Sequence, residues 1–132
     1  LLLLLASSSL ATDVAIVNNC NVAQTVLEYD EYERASFTVE PRTFVIRDES
    51  NCPHSDQCTY ADNATSVVYV TLHAFGGTAQ FKLPRRDVDP LVEVDLTDGV
   101  RASIYTCKST DDSCTDKDIT YDDVDMVSVT LC

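Results

Sequence analysis

Short runs in which apolar and polar residues alternate with a period of two constrain this chain more than any other feature. Val92, Val94 and Leu96 alternate with Glu93 and Asp95, and Val127, Val129 and Leu131 alternate with Ser128 and Thr130. Ala35, Phe37 and Val39 point one way while Ser36 and Thr38 point the other. Side chains two apart share one face of a strand, so each run has one oily face and one wet face. Val14–Val17, Val22–Tyr29, Phe44–Ile46, Val67–Leu72, Ala79–Leu83 and Val100–Thr106 extend the series, and no segment keeps a helical period over three turns. About nine or ten strands are expected on this pattern. Two layers of such strands bury their oily faces against each other. The predicted class is therefore all-β, an antiparallel two-sheet β-sandwich.

Turn chemistry agrees. Asp98-Gly99 and Gly76-Gly77 separate strand-like runs in the manner of hairpin turns. Pro41, Pro53, Pro84 and Pro90 fall between runs, where a missing N–H breaks no ladder.

Six cysteines, Cys20, Cys52, Cys58, Cys107, Cys114 and Cys132, form an even set in a chain of 132 residues. That reads as three disulfides made in an oxidising compartment. Zinc ligation needs closely paired cysteines or histidines, and that spacing is absent. Six cysteines admit 15 pairings, and spacing does not choose among them. In one arrangement, Cys52–Cys58 and Cys107–Cys114 each clip a polar loop, and Cys20 and Cys132 join the first strand region to the last residue.

Residues 1–11, LLLLLASSSLA, read as the apolar and cleavage portions of a secretory signal peptide whose Met and basic start are missing. Ser9 and Ala11 would be the small residues before the cut, with Thr12 as the mature start. Residues 12–132 then form one β-sandwich domain of about 120 residues, enough for one core. The apolar run is too short to span a bilayer as a helix. Asn63-Ala64-Thr65 is an N-glycosylation sequon, in keeping with a secreted, extracellular glycoprotein.

A formal charge of −13 disfavours nucleic acid and anionic membrane as partners. The densest acidic run includes Asp111, Asp112, Asp116 and Asp118. Clustered aspartates on a disulfide-pinned loop are candidate calcium ligands, although EF-hand spacing is not met and a solvated acidic loop is the competing reading. No other cofactor is indicated.

Val14-Ala15-Ile16-Val17-Asn18-Asn19-Cys20 resembles the opening of thaumatin-like proteins, and Val127-Ser128-Val129-Thr130-Leu131-Cys132 is similar to their terminal strand. Val94–Gly99 and the Leu-Cys finish resemble the small fungal members of that superfamily, the Blastomyces yeast-phase-specific type. The resemblance covers three short patches and implies a β-sandwich closed by Cys20–Cys132. It does not carry over the glucan-degrading activity or the acidic cleft of full-length relatives. Those have more cysteines and glycines, and the cleft acids match no positions here.

Candidate catalytic groups are sparse. Both histidines, His54 and His73, lack a sequence context that pairs a base with a nucleophile, and there is no G-x-S-x-G. Carboxylates abound, but Trp, the common sugar platform of glycosidases, is absent. The chain is therefore read as a non-enzyme. Glu28-Tyr29-Asp30-Glu31-Tyr32-Glu33 alternates acids with tyrosines, either as a contact loop or as a strand connection with its rings packed inward. Two functions are expected. One is an extracellular structural or interaction protein that self-assembles through Leu1, Leu2, Leu3, Leu4 and Leu5, since an exposed run of leucines demands cover. The other is a monomeric glycan-binding or defence-type protein. The partner is a second copy, or an extracellular glycan or protein.

Overall fold

The computed structural model describes residues 12–73, 78–81, 90–98, 104–110 and 119–132. Among these, eleven strands form two sheets, with one 3-10 turn at Glu49–Asn51 and no α-helix. The strands are β1 Asp13–Asn18, β2 Gln24–Tyr29, β3 Arg34–Val39, β4 Thr43–Asp48, β5 Gln57–Asp62 and β6 Val68–His73. They continue with β7 Thr78–Phe81, β8 Val92–Thr97, β9 Tyr105–Lys108, β10 Ile119–Tyr121 and β11 Met126–Leu131. One sheet has the order β4-β1-β11-β8-β9, and the other β10-β7-β6-β5-β2-β3. The fold is thus all-β and sandwich-like.

Alternation places the core. Val14, Ile16 and Asn18 of β1, Val127, Val129 and Leu131 of β11, and Val92, Val94 and Leu96 of β8 point inward and are buried. From the opposite sheet Val26, Val39, Tyr60, Val70 and Leu72 join the same apolar cluster. Burial of such side chains contributes about 1.5–3 kcal/mol each.

The sheets are not wholly antiparallel, which corrects the expectation. β1 and β11, the first and last strands, lie side by side and parallel, from Asp13 opposite Met126 to Asn18 opposite Leu131. A period of two is the same in either direction, so alternation could not reveal this. Both strands run toward the end where Cys20 and Cys132 meet, and the bond between them links positions 112 apart. β8 and β9 do pair antiparallel as the Asp98-Gly99 hairpin suggested, with Leu96 opposite Tyr105. β5 and β10 were not foreseen. β5 opens with Gln57-Cys58, the residues read as loop, and β10 has only three residues beside the acidic run.

Two of the three expected disulfides, Cys20–Cys132 and Cys52–Cys58, are present. Cys107 is disulfide-bonded as well, and its expected partner Cys114 lies outside the described residues. Asn18 explains why β1 runs out through Asn-Asn-Cys. Its buried amide donates to the carbonyls of Val22 and Val39, both at 2.9 Å. Its Oδ1 accepts the Cys20 N–H at 2.8 Å. One side chain therefore fixes the approach to the disulfide and the end of β3.

Candidate functional site: the outer face of β4 and β1

The turn Glu40–Arg42 carries the chain from β3, the edge of one sheet, to β4, the edge of the other. Arg42 takes φ 64, a left-handed conformation that is uncommon without glycine. Its N–H is held by the Asn18 carbonyl at 2.8 Å, and its guanidinium donates to Asn21 Oδ1 at 2.9 Å. β4 then pairs antiparallel with β1 and, among the described residues, has no strand on its other side.

Register decides which side chains share the outer face. Phe44 lies opposite Val17, Ile46 opposite Ala15, and Asp48 opposite Asp13. Since Val14 and Ile16 point into the core, Ala15 and Val17 point out, and Phe44 and Ile46 stand beside them. Phe44 is 61% exposed and Ile46 53%. With half-buried Val17, Ala15 and Met126 they make an apolar strip along an open sheet edge. The strip ends in two facing carboxylates. Like charges directly opposite on a strand pair repel. The Asp13 carboxyl is raised above its ordinary value by burial and then by Asp48. Glu49 is raised likewise, by burial first, with Asp48 and Asp13 adding to it.

The other charge on β4, Arg47, turns inward. Its Nε and Nη2 donate to Glu28 Oε2 and Oε1 at 2.9 and 2.7 Å, and its guanidinium lies 5.1 Å from the centre of the Phe37 ring. β4 therefore presents no cation on its outer face. The sequence predicts a strand through Phe44 and Ile46 but not the face they share. The cue was three consecutive apolar residues, which no single buried face accommodates.

The acidic tyrosine hairpin divides between the two readings given above. Glu28 is buried and held by Arg47, and Tyr29 is half-buried with the Arg34 guanidinium 5.3 Å from its ring centre. Tyr32, at the tip, is 68% exposed. Asp30 Oδ1 accepts the Tyr32 and Glu33 N–H groups, both at 2.7 Å, and fixes the turn. His54 Nε2 lies 3.2 Å from Glu33 Oε1, both residues being exposed. His73 ends β6 opposite Gln57 and Thr78.

Asn63 is exposed in the turn after β5. The Thr65 hydroxyl of the same sequon donates to Asp62 Oδ1 at 3.0 Å. A concavity of about 290 Å³ lies beside Leu91, Lys108, Ser109 and Cys132, where Lys108 and Glu93 pair at 3.3 Å. The candidate calcium ligands Asp111, Asp112, Asp116 and Asp118, and the leucines Leu1 to Leu5, lie outside the described residues. Among the described residues no group of three or more His, Cys, Asp or Glu is arranged to hold a metal, and no helix is long and apolar enough to cross a membrane. Compared with protein-family models, with curated proteins and with solved structures, the chain matches none.

Proposed function

We propose that the chain is a secreted, non-catalytic extracellular interaction protein whose contact surface is the outer face of β4 and β1. The exposed Phe44–Ile46 strip on an otherwise acidic molecule carries this reading. Large apolar side chains grouped on a flat face lose water only when a partner covers them, which is how contact surfaces gain free energy. Disulfides suit an oxidising, extracellular setting. The Cys20–Cys132 bond is the pairing that the resemblance to small thaumatin-like proteins implied. The apolar leader takes no part in this reading.

The test is retention of labelled protein on the extracellular material of the cells that secrete it. Wild type should bind saturably, and the doubly substituted Phe44→Ser, Ile46→Ser protein should not, with its fold intact by circular dichroism. Equal retention of both proteins would refute the surface assignment. Absence of wild-type retention would refute the interaction reading itself.

A second reading follows from Tyr32. An exposed ring between Glu31 and Glu33 suits stacking on a sugar, with the acids accepting its hydroxyls. Loss of β-glucan or chitin retention in Tyr32→Ala, but not in the β4 variant, would favour it.

A further inference from the structure

Resting on the reading of the sheet face above, we propose that the partner is an extended cationic polypeptide segment that adds to β4 as an antiparallel strand. Two independent features of the same edge meet here. The first is the open ladder. β4 bonds to β1 on one side only among the described residues, and its other edge carries no ladder there, although the Asp48 N–H and C=O are held by Asn51 Oδ1 and the Tyr60 hydroxyl and the Thr43 N–H by the Glu40 carbonyl. The second is the order of chemistry along the outer face, which runs Phe44, Ile46, Asp48 at intervals of two.

An antiparallel strand laid on this edge begins opposite Asp48 and ends opposite Phe44. Residues directly opposite share a face, so the complementary segment carries Lys or Arg first, then apolar residues two and four positions later. The cation would sit against Asp48 beside Asp13, two carboxylates with no basic partner in register. It would relieve the repulsion from Asp48 that adds to burial in raising the Asp13 carboxyl. The apolar pair would cover Ile46 and Phe44. A second copy of this chain fits less well. Its Arg42-Thr43-Phe44-Val45-Ile46 has the required order, but Arg42 lies in the turn before β4 at φ 64 with its guanidinium on Asn21 Oδ1, and the copy brings another formal charge of −13.

The probe is a capped heptapeptide with lysine two positions before the first of two alternate valines and threonine elsewhere, titrated into the full chain by NMR. Expected is saturable binding that perturbs the Thr43–Asp48 amides. It should weaken at least tenfold with Phe44→Ser, Ile46→Ser, and several-fold with Asp13→Asn or added salt. The same peptide N-methylated along its pairing edge should not bind, because it cannot complete a ladder. Equal binding by the N-methylated peptide, by a glutamate-for-lysine peptide or by the reversed sequence would overturn the strand-addition proposal. So would absence of binding. Sedimentation showing a wild-type dimer that is lost in the Phe44, Ile46 variant would assign the edge to a second copy instead. Retention on extracellular material tests the contact surface separately, so a peptide that fails while retention still depends on Phe44 and Ile46 refutes only the partner proposed here.

Discussion

Arg47 on β4 grips both carboxylate oxygens of Glu28 on β2, joining the two sheets where the edge strands β3 and β4 face each other. Glu28 is 6% exposed and Arg47 31%, so the pair sits at the rim of the core. Removing one partner leaves the other poorly compensated in a partly dry site. Arg47→Met is expected to lower stability by about 1.5–3 kcal/mol, the usual worth of hydrogen bonds to a charged group. The double variant Glu28→Leu, Arg47→Met should recover most of that loss. Urea unfolding of the single and double variants checks both.

Asn18 is buried and uses both ends of its amide. Asn18→Ala strands the Cys20 N–H and two carbonyls, and should cost at least about 2 kcal/mol. Asn18→Asp should cost more, since an ionised carboxylate would face the Val22 and Val39 carbonyls. Thermal unfolding at neutral pH ranks the two.

The two described disulfides close loops of very different length, 112 and 6 residues. In the chain-entropy account the first is worth about 4–5 kcal/mol and the second about 2 kcal/mol. Replacing Cys20 and Cys132 by serine should therefore lower the midpoint of unfolding about twice as far as replacing Cys52 and Cys58. Equal effects would contradict that ordering.

Burial raises the carboxyls of Asp13 and Glu49, and repulsion from Asp48 adds to it. The folded chain thus holds these protons more tightly than the unfolded chain does. Their contribution to stability falls as pH rises from the ordinary carboxylate range through the raised values. Asp13→Asn and Glu49→Gln should each raise the melting temperature at pH 7. The gain should vanish below about pH 3, where the native carboxyls are protonated in both states. A gain that persists at the lower pH would point to packing instead of charge.

Much of the core was legible in the sequence, because β1, β8 and β11 alternate cleanly and each has one dry face. The pairing of Cys20 with Cys132 came from resemblance, since spacing alone left the choice open. β5 was hidden because Gln57 and Cys58 sit at the edge of a polar loop and because Tyr60, Ala61 and Asp62 are all buried. A register shift between Tyr60 and Ala61 breaks the period there. The parallel contact of β1 and β11 was beyond reach, as strand direction leaves no trace in alternation. The candidate site was half legible. Phe44–Ile46 read as a strand, but its place at an edge depends on which strands the topology puts beside it. Likewise, Glu28 read as part of either a contact loop or a strand connection, and only the grip of Arg47 from β4 makes it an internal anchor.

The most direct test of the contact surface is amide hydrogen exchange of the protein free and bound to its extracellular material, followed residue by residue. The account expects slowed exchange along Thr43–Asp48, with little change at Tyr29–Arg34. Protection confined to the Tyr29–Arg34 hairpin, with β4 exchanging as in the free protein, would contradict it.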